Sequence, residues 1–277
     1  MTTTTQEMKA ITAVNHDAGK APFYKEVAIM TWRDLITTLR TPSAILPSIF
    51  INVFFLIINH ATFGRSAGFL PELAGKDYLG FILPLSVISA SLGGAGITGQ
   101  NLVRDIESGY FNKLLLTPVS RVAIVLGPIL SGAVFLAFQA LIVIGLGLAM
   151  GLSVETGVLG VLALVAVAVL TGMGLSGYIV GLALRTGNSG AVQAGSFLFF
   201  PLTFITASYV PLDLLDGWLK TAARINPITY SIEAGRSLML TGWEGDTLAK
   251  GILACGVLAL LTFAYAMSSL KARTARS

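Results

Sequence analysis

Charged residues are scarce in this chain, and cysteine and histidine are nearly missing from it. Only 12% of its 277 residues are charged, against 54% that are hydrophobic, and the mean hydropathy is +0.79. A soluble globular domain carries about 25% charged residues, so this chain has too little polar surface to cover itself in water. The shortage of charge excludes an ordinary soluble domain and indicates a protein that faces lipid.

The single cysteine and the two histidines limit the chemistry further. Cys255 lies within an apolar run and has no partner for an intramolecular disulfide; a small core residue is the simplest interpretation. His16 lies in the polar N-terminal tail and His60 at the end of an apolar run. The sequence therefore offers no His-based metal site.

Enzyme and nucleotide motifs are also missing. Gly19-Lys20 and Gly75-Lys76 lack both the upstream glycine and the following hydroxyl residue of a phosphate-binding loop, so we expect no ATP site and no cofactor on this chain. The nucleophile motif Gly-x-Ser-x-Gly and the zinc motif His-Glu-x-x-His do not occur. The net charge of +4 comes from basic residues in tails and loops, which favours membrane topology signals over nucleic-acid binding.

Six apolar runs are each long enough for a helix that crosses a hydrocarbon core of about 30 Å. We therefore predict an all-α integral membrane protein with six transmembrane helices. Gly-xxx-Gly pairs near these runs favour close packing between helices. The runs cover about residues 44–63, 78–99, 122–150, 156–184, 191–209 and 248–270.

The ends of the chain are polar or basic. Residues 1–22 are Thr-rich and predicted to be disordered, with no apolar core for a cleaved signal peptide. With six spans, twelve of the 18 lysines and arginines fall on the side of the two tails and six on the other. This excess predicts that both termini, including the basic tail 271–277, lie in the cytoplasm of a bacterial-type plasma (inner) membrane.

Residues 23–41 have the periodicity of an amphipathic helix. Its apolar face and its polar face are both broad, and the segment is too charged to span a membrane. A helix lying in the cytoplasmic membrane interface fits this pattern; a packed helix of a small soluble domain is the alternative. The residues that define the two faces are Tyr24, Trp32 and Leu35 on the apolar side and Arg33 and Arg40 on the polar side.

The segment 101–118 is too unusual for a simple connector. It combines charged residues with an apolar cluster, Gly109 permits a bend, and Pro118 stops a helix. A short helix with this surface would bind a partner through apolar anchors and a charged rim; a solvated loop resting on lipid headgroups is the alternative. The charged residues are Arg104, Asp105 and Glu107, and the apolar ones are Tyr110, Phe111, Leu114 and Leu115.

The segment 211–240 precedes the last apolar run. Its first part, with Trp218, has the spacing of an amphipathic helix, Asn226-Pro227 breaks the pattern, and helical spacing then resumes. Unstructured loops of this length are uncommon, so we predict a re-entrant or surface-lying pair of helices on the outer side.

These two segments together carry a resemblance to a known family. The pattern Arg104-Asp-Ile-Glu-Ser-Gly109, Leu114-Leu-Leu-Thr-Pro118 and Arg121 resembles the loop between the second and third spans of ABC-2 type permeases. The pattern Asn226-Pro227-Ile-Thr-Tyr230, with Glu233 and Arg236, is similar to the signature before their last span. The likeness covers nearly the whole chain after residue 22 and is greatest to drug-export permeases of the daunorubicin-resistance kind. Asp216-Gly217 replaces a proline that often precedes the outer tryptophan.

The resemblance implies an exporter built from two six-span halves. A separate cytoplasmic ATPase would carry ATP and magnesium, and a second permease copy or paralogue would complete the dimer. Segment 101–118 would be the coupling helix in a groove of the ATPase, and 23–41 the connecting helix. The second and fifth spans would line the path of an amphipathic drug or lipid-like substrate. Four phenylalanines would contact it, although they could equally face lipid: Phe197, Phe199, Phe200 and Phe204.

An ion-coupled secondary transporter is the alternative function. Such carriers place ionisable groups at mid-membrane depth, and no predicted span has one in its central portion. The polar residues near or within the spans are the amides Gln100, Gln139 and Gln193, which carry no titrating proton. The sequence therefore favours the ATP-driven permease.

Overall fold

A computed structural model describes residues 22–64, 78–206 and 215–275, and within these ranges the chain contains helices and no strands. The predicted disordered tail, apart from residue 22, and the last two residues lie outside the described part, as do residues 65–77 and 207–214. The helices are α1 (Phe23–Leu39), α2 (Pro42–Phe63), α3 (Tyr78–Glu107), α4 (Tyr110–Leu115), α5 (Arg121–Ala149), α6 (Gly157–Thr186), α7 (Ser189–Phe204), α8 (Gly217–Ile225), α9 (Pro227–Arg236) and α10 (Gly245–Thr274). A π-helical turn, Ser237–Thr241, follows α9.

Local sequence sets several of these boundaries. Pro42 occupies the first turn of α2, where its missing N–H costs nothing. Ser120 caps α5, since its hydroxyl accepts a hydrogen bond of 3.2 Å from the Ala123 N–H, and Asn188 caps α7 through the Ala191 N–H at 3.0 Å. These side chains satisfy donors that the first turn of a helix leaves without partners.

Five of the described helices are long and apolar enough to cross a membrane. They are α2, α3, α5, α6 and α10. The candidate membrane spans in these helices are Ile45–Thr62, Tyr78–Glu107, Arg121–Ala149, Gly157–Thr186 and Gly245–Thr274. The predicted fifth span, 191–209, coincides with α7, which has only 16 residues; residues 207–209 lie outside the described part. The prediction of membrane-crossing helices therefore holds for five of the six.

The centre of the bundle is formed by α3, α5 and α6. In the most apolar stretch of α3, 76% of the residues are buried, against 17% in the corresponding stretches of α2 and α10. The core has two apolar clusters. One, at the end of the bundle next to α9, includes Ile82, Leu136, Leu164 and Ile232. The other, at the end next to α4, includes Val103, Phe111, Ile179 and Leu270.

Glycines let α10 approach α6 closely. A Cβ atom on Gly177 would lie 3.2 Å from the backbone carbonyl carbon of Thr262, and one on Gly181 would lie 3.2 Å from Cα of Ala266. The Gly-xxx-Gly spacing noted in the sequence is therefore a packing surface for the last span.

The polar face of α1 is the one that it packs on the bundle. Glu26, Asp34 and Thr38 are buried, whereas Tyr24 and Trp32 are 68% and 63% exposed. Leu35 is half-buried, and Arg40, just after the helix, is exposed. The large apolar residues that α1 exposes are Phe23, Tyr24, Ile29, Trp32 and Leu39.

Candidate functional site

A recess of about 400 Å³ lies between α2, α3 and α7. One wall is aromatic: Phe197, Phe200 and Phe204 line it, and each is about half exposed or more. The wall from α2 carries two amides, Asn52 and Asn59. This recess therefore combines apolar and hydrogen-bonding surface within the bundle.

The amides of α2 follow a regular spacing. Ser48, Asn52, Phe55 and Asn59 recur at steps of four, three and four residues, so they share one face of the helix, and all four line the recess. The side chains of Asn52 and Asn59 donate to the carbonyl four residues earlier, at 2.7 and 2.8 Å. Their amide oxygens accept no hydrogen bond within the described residues.

A second, polar cavity of about 350 Å³ adjoins the recess towards the α4 end of the bundle. Ser48, Gly93, Gln193 and Ser196 line both spaces. The polar cavity also contacts three side chains near the end of α3, namely Gln100, Asn101 and Arg104. The two spaces therefore adjoin, and their lining becomes more polar along α3 from the recess to the second cavity.

Three of the four phenylalanines predicted for the substrate path line the recess. The fourth, Phe199, does not, because it is 9% exposed and packs edge-on against Tyr178, with ring centroids 5.2 Å apart. In α7, residue 199 points away from residues 197, 200 and 204, which share the recess face. Phe199 is thus a core residue in the structure, unlike the other three phenylalanines of the prediction.

The segment 101–118 contains the end of α3, a left-handed residue and the short helix α4. Gly109 has φ of 73°, a conformation that side chains with a Cβ rarely adopt, so glycine here allows the chain to turn directly into Tyr110. Pro118 lies in the exposed stretch between α4 and α5. The chain therefore bends at Gly109, as predicted, and α4 ends before Pro118.

Two predicted anchors of this segment do not face a partner. Phe111 is 1% exposed and Leu114 is 7% exposed, and Phe111 belongs to the apolar cluster at the α4 end. The periodicity of α4 places both residues on the bundle side, which the sequence alone did not distinguish from a docking side. Leu115 is half-buried; the exposed residues are Arg104, Glu107, Ser108, Tyr110, Asn112, Lys113, Leu116, Thr117 and Pro118.

Arg33 connects α1 to this segment. Its guanidinium forms an ion pair with Asp105 and lies 4.6 Å from the ring centroid of Tyr110. Burial is the largest single effect and lowers the pKa of Arg33, but the hydrogen bond and charge of Asp105 together with Tyr110 outweigh it, and the pKa is raised. A single side chain of the predicted connecting helix therefore contacts both α3 and α4.

Further buried polar contacts hold α1 in place. A carboxylate oxygen of Glu26 accepts a hydrogen bond of 2.9 Å from the Ser120 N–H, at the start of α5. The Asn101 amide donates to the Thr38 hydroxyl at 2.8 Å. These contacts join α1 to both ends of the 101–118 segment.

Asp34 is a buried acid of α1 whose carboxylate is only partly hydrogen-bonded. Burial raises its pKa to about 6, against opposing effects of a hydrogen bond with Ser131 and the charge of Arg33. The neighbouring charge of Asp105 raises the pKa further, and the Asp34 Oδ2 atom has no hydrogen-bond partner. Sequence analysis had missed Asp34, since an acid on the polar face of an amphipathic helix is normally assigned to solvent.

The outer motif forms a junction centred on Asn226. Its amide nitrogen donates to the carbonyls of Leu202 and Ile205, at 2.7 and 3.2 Å, while its amide oxygen accepts from the Ile228 N–H at 3.0 Å. One buried side chain thus caps the end of α7 and the start of α9, and Pro227 fits the first turn of α9.

The other residues of this motif have separate roles. The Tyr230 hydroxyl donates to the Arg224 carbonyl at 2.7 Å. Arg236 is buried, with Nε donating to the Phe81 carbonyl at 3.1 Å and the guanidinium 3.6 Å from the Phe81 ring centroid. Glu233 is half-buried, and Trp218 in α8 is 75% exposed. The motif therefore fixes α9 against α3 and α7.

A comparison of the sequence with known families identifies the family of this chain. The profile of the ABC-2 type transporter family matches residues 25–240. This chain belongs to the ABC-2 type transporter family. As an ABC-2 permease it is a transport subunit and a multi-pass membrane protein, and membership implies a partner subunit that binds ATP.

Three relatives are named for a function in drug resistance or multidrug transport. A probable doxorubicin resistance ABC transporter permease, DrrC of Mycobacterium tuberculosis, is 24% identical over 87% of this chain and 87% of its own length. The daunorubicin resistance permease DrrB1 of Streptomyces coeruleorubidus is 22% identical over 84% and 81%. The probable multidrug permease YbhR of Escherichia coli is 27% identical over 69% and 52%. This ABC-2 permease is therefore similar to drug-resistance and multidrug permeases, which favours the ATP-driven function over an ion-coupled carrier.

Proposed function

We propose that this permease exports an amphipathic drug or lipid-like substrate, energised by an ATPase on a separate chain. The observation that carries the proposal is the recess, with phenylalanines on one wall and amides on the other. Its volume of about 400 Å³ falls within the range of small-molecule sites, about 300–1,000 Å³, which are mostly apolar with a few placed polar groups. The relatives named for doxorubicin and daunorubicin resistance support the same class of substrate.

The topology we propose has six spans, with α7 as the fifth. Helix α7 is mostly apolar over its 16 residues, and α8 with α9 would form the re-entrant outer helices that complete the crossing. The exposed apolar face of α1 fits a helix lying in the membrane interface. The distribution of basic residues supports cytoplasmic termini in a bacterial-type plasma membrane.

A second permease copy or paralogue would close the open side of the recess. The side chains of Asn52, Asn59 and Gln193 line it, and amides facing hydrocarbon without partners are costly. A dimer with two recesses facing each other would replace lipid with a shared path.

We propose that the ATPase docks on the exposed side of α4 and the turn that follows it. Tyr110, Asn112, Lys113 and Leu116 are accessible there, and Arg33 would pass a displacement of Tyr110 and Asp105 to α1. ATP, bound with magnesium on the partner, would favour one arrangement of the two ATPase subunits. A difference in their affinity for the two states of the permease would then drive the change.

A double substitution that places two negative charges on this docking surface tests the proposal. The variant Lys113→Glu with Leu116→Asp changes exposed side chains only, so we expect normal insertion and folding but loss of the ATPase on mild-detergent affinity purification. The matched control is Arg185→Glu with Thr186→Asp, two exposed residues at the C-terminal end of α6. This variant should retain the ATPase. Normal co-purification with the first variant would rule out this surface. If the unmodified permease brings down no ATPase, the ion-coupled carrier becomes the better account.

A further inference from the structure

We propose that the polar cavity is a headgroup site, in which Arg104 selects amphiphiles that carry an anionic group. This inference rests on the proposed function, because it assigns the substrate class of the same path. The recess would hold the apolar part of the molecule and the polar cavity its charged end.

The charge of the two spaces is one-sided. Arg104 is the only charged residue among those that line the recess or the polar cavity within the described part of the chain. The next acid along the chain, Asp105, pairs with Arg33 on the side of α1 and does not line either space. A ligand in the polar cavity therefore meets a positive charge that no lining carboxylate balances.

Arg104 and Gln193 have donors to spare. The side chains of both form no hydrogen bond with the described residues, whereas two neighbours in the cavity are occupied. Gln100 donates to the Ser189 carbonyl at 3.2 Å and Asn101 donates to Thr38. The guanidinium offers five N–H donors in a planar fork suited to carboxylate or phosphate.

The continuity of the two spaces sets the shape of the ligand. Ser48, Gly93, Gln193 and Ser196 line both, so a single molecule can lie with one end beside Arg104 and the other among Phe197, Phe200 and Phe204. Gly93 lets the Ser48 side chain approach α3 closely, since a Cβ there would overlap the Ser48 hydroxyl oxygen. An amphiphile with an acidic head and an apolar body matches this order of surfaces.

Competition between chain-matched amphiphiles tests the charge preference. The full-length permease in phosphatidylcholine nanodiscs is labelled with a photoreactive dodecyl phosphate, and unlabelled dodecyl phosphate or dodecyltrimethylammonium is added as competitor. We expect labelling of the segments 78–107 and 189–204, with the phosphate competing at roughly tenfold lower concentration, as charge-assisted hydrogen bonds would give.

Two substitutions at Arg104 then separate charge from structure. In Arg104→Gln the two competitors should become equal, and in Arg104→Glu the alkylammonium should compete better. Arg185→Gln removes an exposed arginine at the same end of the bundle but outside both spaces, and should leave the preference unchanged. A structural role for Arg104 would not reverse the preference.

Several outcomes would overturn the inference. Equal competition in the unmodified permease, or a preference that survives in Arg104→Gln, would exclude an anion-selective site. Labelling confined to the exposed face of α10, around Leu253 and Leu260, would indicate adsorption of bulk lipid instead. Loss of the ATPase from Arg104→Gln with the preference retained would assign Arg104 to ATPase docking, as the sequence predicted. A preference found in a permease that binds no ATPase would overturn the proposed function and leave this site standing.

Discussion

The first and last described helices, α1 and α10, are both held on the outside of the bundle, but by different means. Apart from a close approach of Met30 to Gly127, α1 is attached through buried polar side chains: Glu26, Asp34 and Thr38. In contrast, α10 is attached mainly through the glycines of α6, against which its backbone packs, although Arg273 near its end also donates to the Leu184 carbonyl at 3.0 Å. One attachment depends mainly on charge and hydrogen bonds, and the other mainly on shape.

This difference matters because the two kinds of contact respond to different changes. Close packing tolerates almost no added volume and is insensitive to pH. Polar contacts depend on protonation and can exchange partners, including water, at a modest net cost. The helix joined to the predicted ATPase-docking segment by an ion pair is α1, and it is held largely by exchangeable contacts, which suits an element that must move.

Adding volume to the glycine surface should have the largest effect. In Gly177→Leu the new side chain meets the backbone of Thr262, and separation of α6 from α10 should cost several kcal/mol. We expect loss of the monodisperse peak in size-exclusion chromatography and a large drop in melting temperature.

The control for this change lies on α10 itself. A Cβ atom on Gly256 would meet nothing within 4 Å, so Gly256→Leu should preserve the peak. If both leucine variants behave alike, shape does not decide how α10 is attached.

Removing the buried acid of α1 should have an intermediate effect that depends on pH. The pKa of Asp34 is about 6 in the folded protein, above its ordinary value of 3.8, so the folded state binds this proton more tightly than the unfolded state. The contribution of Asp34 to stability therefore rises as pH falls through about 6 and is complete below about 4.

Asp34→Asn should abolish that dependence. We expect the variant to be more stable than the unmodified permease at pH 7.5, on the order of 1–2 kcal/mol, with the difference shrinking by pH 5. Thermal unfolding in detergent across this range measures it. A difference that stays constant across this pH range would mean that the folded and unfolded states bind the Asp34 proton equally, and so that burial does not raise the pKa of Asp34.

Removing Arg33 should have the smallest effect. Arg33→Ala deletes a partly exposed ion pair and a cation–π contact, worth about 1 kcal/mol together. Hydrogen exchange should become faster in 23–39 and stay unchanged in 245–274. Arg33→Lys keeps the charge but loses the planar stacking on Tyr110, so its exchange rates should fall between those of the unmodified permease and those of Arg33→Ala. Equal acceleration in both helices would indicate global loosening and contradict the comparison.

Much of this fold follows from patterns that operate within one helix. Apolar length located the spans α2, α3, α5, α6 and α10, and the turn at Gly109 and the break at Asn226-Pro227 follow from residues that restrict or free the backbone. These features are local, so the sequence carries them directly. The helical spacing along α2 could also have identified the face that carries the amides of Asn52 and Asn59, because this spacing is visible in the sequence.

Orientation of a helix about its own axis was harder to predict. Phe199 and Leu114 turn towards the protein, whereas Phe200 and Leu116 turn away from it, although all four are apolar. In a membrane both lipid and core favour apolar side chains, so the hydrophobic pattern does not separate the two faces. Asp34 was missed for a different reason: its burial depends on α5 and α3, whereas the pattern of α1 alone assigns an acid on the polar face to solvent.

The Asn226 junction also sets the height of one wall of the path. Because its amide satisfies carbonyls at the end of α7, that helix can stop after 16 residues, about 24 Å of rise, without leaving those two carbonyls unpaired. A hydrocarbon core is about 30 Å thick. The aromatic wall of the recess is therefore shorter than the barrier that a lipid-soluble molecule would cross unaided, and its far rim is made of polar backbone held by one side chain.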